Sequence, residues 1–175
     1  MVFIIGCTGT QIKVTPIPQS VYSYYLQPPY EKIGVNSIKT SDSTITDGFA
    51  SALKETGFAK TVFYPMRSDD KTDIILDSQF KLSADEHTGA GYAKNFFTLL
   101  TLFLLEPAFW YDIDYTLEGS AIILKEGKRV GQVNAQSEAT VSAKLLSLDD
   151  LGKISVEALE KAKQSLYYQM IRNVQ

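Results

Sequence analysis

Cys7 is the only cysteine of the chain. No disulfide can form within the molecule, and thiol pairing therefore gives no reading of its redox compartment. His87 is likewise the only histidine. A catalytic imidazole needs a nucleophile and an orienting carboxylate. Asp85 and Glu86 lie beside it, but there is no serine motif of the nucleophile-elbow type, and the polar stretch SADEHTGAG reads as a break between elements. His87 is thus a solvated loop residue, and it lacks partners at metal-ligand spacing. Basic clusters are missing too. None is longer than Lys128-Arg129, and the net charge is −3, which excludes a nucleic-acid partner because that needs a basic footprint. Gly89-Ala90-Gly91 has neither the spacing nor the lysine of a phosphate-binding loop. No apolar run is long enough to span a bilayer. FFTLLTLFLL, from Phe96 to Leu105, makes about 15 Å of helix, half of a hydrocarbon core.

With these excluded, 175 residues at 45% hydrophobic content suffice for one domain with a real core, or one domain and a tail. Ten tyrosines and nine phenylalanines favour sheet and amphipathic surfaces. Lys32–Ile38 and Thr61–Tyr64 read as short strands around a helix in SDSTITDGFASALKETG. Ser43 or Asp42 caps that helix, Gly57 closes it, and Ile45, Phe49, Ala52 and Leu53 share a face. Asp73–Leu82 alternates as a strand, with Ile74, Leu76, Ser78 and Phe80 on one side. Tyr92–Leu105 reads as a helix stopped at Pro107.

Tyr111–Leu124 and Arg129–Leu145 alternate again on either side of Lys125-Glu126-Gly127-Lys128, a hairpin with one wet face. A last helix begins between Asp149 and Val156. Leu159, Ala162, Leu166, Met170 and Val174 fall on its buried face; Glu160, Lys163, Gln164 and Arg172 fall outside. The fold class is α+β: a mixed or mainly antiparallel sheet with a long C-terminal hairpin and helices packed on it, in the order β-α-β-β-α-β-β-α. Residues 32–175 form the single domain of this reading.

Chemistry is sparse. Asp112, Asp114 and Glu118 share one strand face, with Glu138 opposite. Such oxygens can hold a hard cation or work as a carboxylate pair, yet alternating acids on an antiparallel strand are ordinarily its wet face. No catalytic residue, metal or cofactor is expected. Phe96–Leu105 is apolar on all sides, so it is not a half-exposed helix. It is buried core, a subunit interface, or a segment dipping into lipid. Phe96, Leu99, Phe103, Phe109 and Trp110 are the candidate interaction residues, because an aromatic cluster after Pro107 suits a membrane or protein interface. A small-molecule or enzymatic cleft beside Phe109–Tyr115 is the alternative.

The first residues carry most of the functional signal. MVFIIGC runs from an apolar stretch into the lone cysteine, and Ile4-Ile5-Gly6-Cys7 resembles the lipobox of bacterial lipoproteins. In that family the cysteine thiol receives a diacylglyceryl group, the chain is cleaved before it, and the new amino terminus is acylated. Residues 1–7 are then the remnant of a signal peptide. A working signal has roughly 15–30 residues, so a longer leader is expected upstream. Residues 8–31 hold Pro16, Pro18, Pro28 and Pro29 and read as a Pro/Tyr-rich tether, about 80 Å at full extension. Part of it can dock as an edge strand. The competing reading of the first residues is a buried strand with a small apolar thiol.

Element order behind this motif resembles small envelope lipoproteins whose domain is like the amino-terminal domain of TolB, and LLEPAFWYDIDYTLEGSAIILKEGK is similar to a stretch of those lipoproteins. The resemblance implies a non-enzymatic protein anchored through lipid on Cys7, binding or scaffolding in an envelope complex through a protein partner or self-association. Thr8 in place of an aspartate implies the outer membrane, facing the periplasm.

Replacing Leu99 and Phe103 by Asp separates the readings of the apolar segment. At an interface, circular dichroism and sedimentation show a folded monomer that has lost its partner or self-association. In the core, buried unpaired charge unfolds the domain.

Overall fold

The computed structural model describes residues 4–5, 10–17, 27–38, 43–86, 111–143 and 151–174. Its elements are β1 (Ile4–Ile5), β2 (Thr10–Val14), β3 (Tyr30–Ser37), α1 (Ser43–Glu55), β4 (Ala59–Phe63), β5 (Ile74–Glu86), β6 (Tyr111–Lys125), β7 (Lys128–Ala143) and α2 (Leu151–Val174). The strands hydrogen-bond in the order β1-β2-β7-β6-β5-β3-β4. The sheet is mixed: β3 runs parallel to both β4 and β5, and β2 runs antiparallel to β1 and β7. The α+β class is therefore present, while the described elements do not confirm the full expected order. Two strands precede β3, and two helices occur among the described residues. The middle helix expected over Tyr92–Leu105 lies outside those residues. Of the stretch expected as tether, Thr10–Val14 forms β2 and Tyr30–Glu31 opens β3. TQIKV alternates as a strand does, and proline enters only at Pro16.

The chain packs as two compact units. One gathers Met1–Pro16, Ser83–Thr116 and Glu138–Ala162; the other gathers Ile17–Leu82, Leu117–Ser137 and Lys163–Gln175. In the second unit β3, α1 and β4 form a parallel βαβ step. Three hydrogen bonds end α1: Thr56 N–H donates to Ala52 O, Gly57 N–H to Lys54 O, and Phe58 N–H to Leu53 O at 3.1 Å. With Gly57 at φ 70, this is a Schellman cap.

Alternation places Ile33 and Val35 on the core side of β3, and Ile74, Leu76, Ser78 and Phe80 on that of β5, all buried. On the other side of β3 the segment after β4 crosses over Gly34. A Cβ there would stand 2.5 Å from Met66 Sδ and 3.3 Å from Thr72 Cγ2.

The core of this unit is aromatic. Phe49 of α1, Phe80 of β5 and Tyr167 of α2 meet with ring centroids 5.6 to 6.4 Å apart. Two glycines make room for α2. A Cβ on Gly48 would be 2.5 Å from the Tyr167 hydroxyl, and one on Gly119 would be 2.6 Å from Met170 Sδ. This docking explains a departure from expectation. Lys163, placed outside by the helical period, is only 8% exposed. Lys163, Tyr167, Met170 and Val174 line a second covered stripe beside Ala158, Ala162 and Leu166, so α2 is buried over a wider arc than one amphipathic face.

The hairpin of β6 and β7 forms as expected. Glu126 (φ 51) and Gly127 (φ 75) make a two-residue turn of type I′. That turn alone would set Gly131 opposite Ile122. Instead a Cβ on Gly131 would lie 3.9 Å from that of Ile123, and Thr140 donates to Asp114 at 2.6 Å in the same register. One extra residue is thus taken up on β7 between the turn and Gly131, as in a β-bulge. Val130, 60% exposed, sits in this stretch.

Gly48→Ala and Gly119→Ala should each destabilise by about 1–3 kcal/mol through overpacking against Tyr167 and Met170, although alanine is intrinsically the better helix former at position 48. Gly152, with open space around it, is the control: Gly152→Ala should be neutral or slightly stabilising. Urea unfolding reads all three.

Candidate functional site

Most residues singled out by the sequence lie outside the described residues: Cys7, His87, Phe96, Leu99, Phe103, Phe109 and Trp110. The structure does describe both flanks of the cysteine. β1 pairs antiparallel with β2, Ile4 opposite Ile12 and Ile5 opposite Gln11. β2 in turn pairs antiparallel with β7, from Thr10 opposite Ala143 to Val14 opposite Ala139. The far end of β2 is fastened to Glu138. Thr15 N–H donates to Glu138 O at 2.9 Å, and Glu138 N–H donates to the Thr15 hydroxyl at 2.8 Å.

These bonds fix the orientation of the backbone groups. In an antiparallel pair, residues alternate between exchanging hydrogen bonds with their partner and facing away. Thr15 bonds toward β7, so Gln11 and Lys13 do as well. The N–H and C=O of Thr10, Ile12 and Val14 point to the opposite edge, where β1 lies. Ile4 and Ile12 are accordingly the bonded pair, and Ile5 and Gln11 the unbonded one.

On the acidic strand face Asp114 and Glu118 have side-chain partners. Asp114 accepts the Thr140 hydroxyl hydrogen bond. Glu118 stands 3.8 Å from Lys81, with both side chains more than half exposed. Among the described residues no group of three or more His, Cys, Asp or Glu side chains is arranged to hold a metal ion. The alternative cleft beside Phe109–Tyr115 is described only from Tyr111 onward, where β6 starts and Tyr115 is half-buried.

Among the described residues of the second unit are two concavities that Tyr115 does not line. A polar basin of about 360 Å³ lies over Gln79, Lys81, Glu118, Ser120 and Asn134. A larger groove of about 680 Å³ runs where β3 and β5 begin and β6 ends, past Tyr30, Asp73, Ile74, Ile123, Val130 and Val174. Asp73 is occupied there with structure: its Oδ2 accepts from the N–H groups of Glu31 and Lys32, both at 2.9 Å, and so fixes the start of β3. Sequence reasoning missed this groove. Its one signal was an apolar Val130 directly after the charged Lys125–Arg129 turn.

Comparison with known proteins gives no matching family model and no matching curated protein.

The acidic face is expected to be inert toward cations. Adding Ca²⁺ or Mg²⁺ should leave the melting temperature unchanged, while Asp114→Ala should cost about 1 kcal/mol by stranding the Thr140 hydroxyl. A cation-dependent rise in melting temperature that Asp114→Asn removes would make this face a cation site.

Proposed function

We propose that the chain is a bacterial envelope lipoprotein, anchored by lipid on Cys7, that binds or scaffolds within an envelope complex and performs no catalysis. One observation carries the reading: Ile4-Ile5-Gly6-Cys7 places an aliphatic residue, a tolerant position and a small residue before a cysteine that is unique in the chain. The prolines that follow, and the engagement of Asp114 and Glu118 by Thr140 and Lys81, fit an anchored binding domain better than an enzyme. No helix among the described residues is long and apolar enough to cross a membrane, and an acylated cysteine requires none. Each buried methylene contributes about 0.8 kcal/mol, and one chain holds only marginally. The several chains that lipoprotein processing adds to one cysteine meet the need for two or more anchoring signals. Within this reading the domain resembles the amino-terminal domain of TolB, and Thr8 directs it to the outer membrane, facing the periplasm. Phe96, Leu99, Phe103, Phe109 and Trp110 offer the partner surface, to an envelope protein or to a second copy.

A second reading is favoured by the pairing of Ile4–Ile5 with β2. Here the first residues are a permanent edge strand and Cys7 is an unmodified thiol.

Expression with a complete signal decides between them. The native protein should partition with membranes and incorporate labelled palmitate. Cys7→Ser should abolish the label and release a folded domain or leave unprocessed precursor. Equal labelling of both proteins, or mature chain that still begins upstream of Cys7, would establish the edge-strand reading.

A further inference from the structure

Cleavage before Cys7, if the lipoprotein reading holds, has a structural effect beyond anchoring: it removes β1. The sheet then ends at β2, and Ile12 loses the residue with which its N–H and C=O are paired. We infer that β1 is a removable cover, and that the edge it leaves open is a self-association site, where β2 of one copy pairs antiparallel with β2 of a second.

The geometry of β2 suits this occupant. Thr10, Ile12 and Val14 direct their backbone groups to the outer edge, as the Thr15–Glu138 bond requires. A two-fold axis through Ile12 sets Ile12 against Ile12 of the second copy and Thr10 against Val14. All three outward positions then become bonded pairs at once, with no register slip. The side chains agree, because Gln11 falls opposite Lys13 and no like charges meet. The antiparallel sense is the one β1 already adopts on this edge. Position adds to it. Thr10 is three residues from Cys7, within about 10 Å of the anchored atom. Edges of neighbouring anchored copies therefore lie at one height above the same surface, where confinement raises their effective concentration. An uncovered edge strand is otherwise a liability that proteins cover or blunt.

The edge can be tested without lipid, in full chains made in the cytosol and carrying Cys7→Ser to exclude thiol dimers. In this background Ile4→Pro removes the N–H that pairs with Ile12 and opens the edge without shortening the chain. Sedimentation should show a monomer with Ile4 present and a concentration-dependent doubling of mass with Ile4→Pro. Adding Ile12→Pro should return the monomer. Hydrogen exchange at the Ile12 amide should be slow in the covered monomer, fast in dilute Ile4→Pro protein and slow again in its dimer. An Ile4→Pro protein that stays monomeric with a fast-exchanging Ile12 amide overturns the inference, as does one that loses its fold, since β1 would then be an indispensable strand. Both outcomes are independent of palmitate labelling, so the edge and the anchor can fail separately.

Discussion

The second unit depends on how closely α2 approaches its neighbours. Tyr167 and Met170 sit where Cβ atoms would be if Gly48 and Gly119 were any other residue. One notch is in a helix and the other in a strand, so α2 is keyed at once to α1 and to β6. The Phe49–Phe80–Tyr167 cluster forms around this keying. Interiors packed to crystal-like density leave little room to rearrange such a contact. A glycine in a helix interior weakens the helix by roughly 1 kcal/mol against alanine, and here close packing with Tyr167 offsets that weakness.

Local signals in the sequence describe much of this fold, and they stop where tertiary contacts take over. The alternation of Ile74, Leu76, Ser78 and Phe80 gives the faces of β5 correctly, because one side of a sheet is buried and the period of two is strict. Gly57 closes α1 as expected because capping is a property of adjacent residues. The hairpin is readable from Glu126-Gly127, yet its extra residue is not, since a bulge leaves no compositional mark. Lys163 is misplaced by periodicity alone because the burial of α2 extends beyond one amphipathic face. Gly48 looks like a defect until Tyr167 is seen beside it.

The candidate site was readable to a different degree. The order Ile4-Ile5-Gly6-Cys7, which resembles a lipobox, is local and needs no fold to be noticed. Pairing of β2 with β7 joins residues over a hundred positions apart, which a scan for local periodicity does not register, and β1, which pairs with β2 locally, is only two residues long. The acidic face was readable as a wet strand face, and the Thr140 and Lys81 partners agree with that plain reading.

The pairing of Thr10 with Ala143 also bears on how the chain is made. Synthesis runs from the amino terminus, so β2 emerges well before its permanent partner β7. Until β7 is complete, β2 has no sheet to join except the two residues of β1. Non-local strand pairing of this kind is slow and leaves strand edges exposed meanwhile. A nascent chain of this topology thus carries an unsatisfied strand until the hairpin is made. It reaches its native pairing only after release of the hairpin.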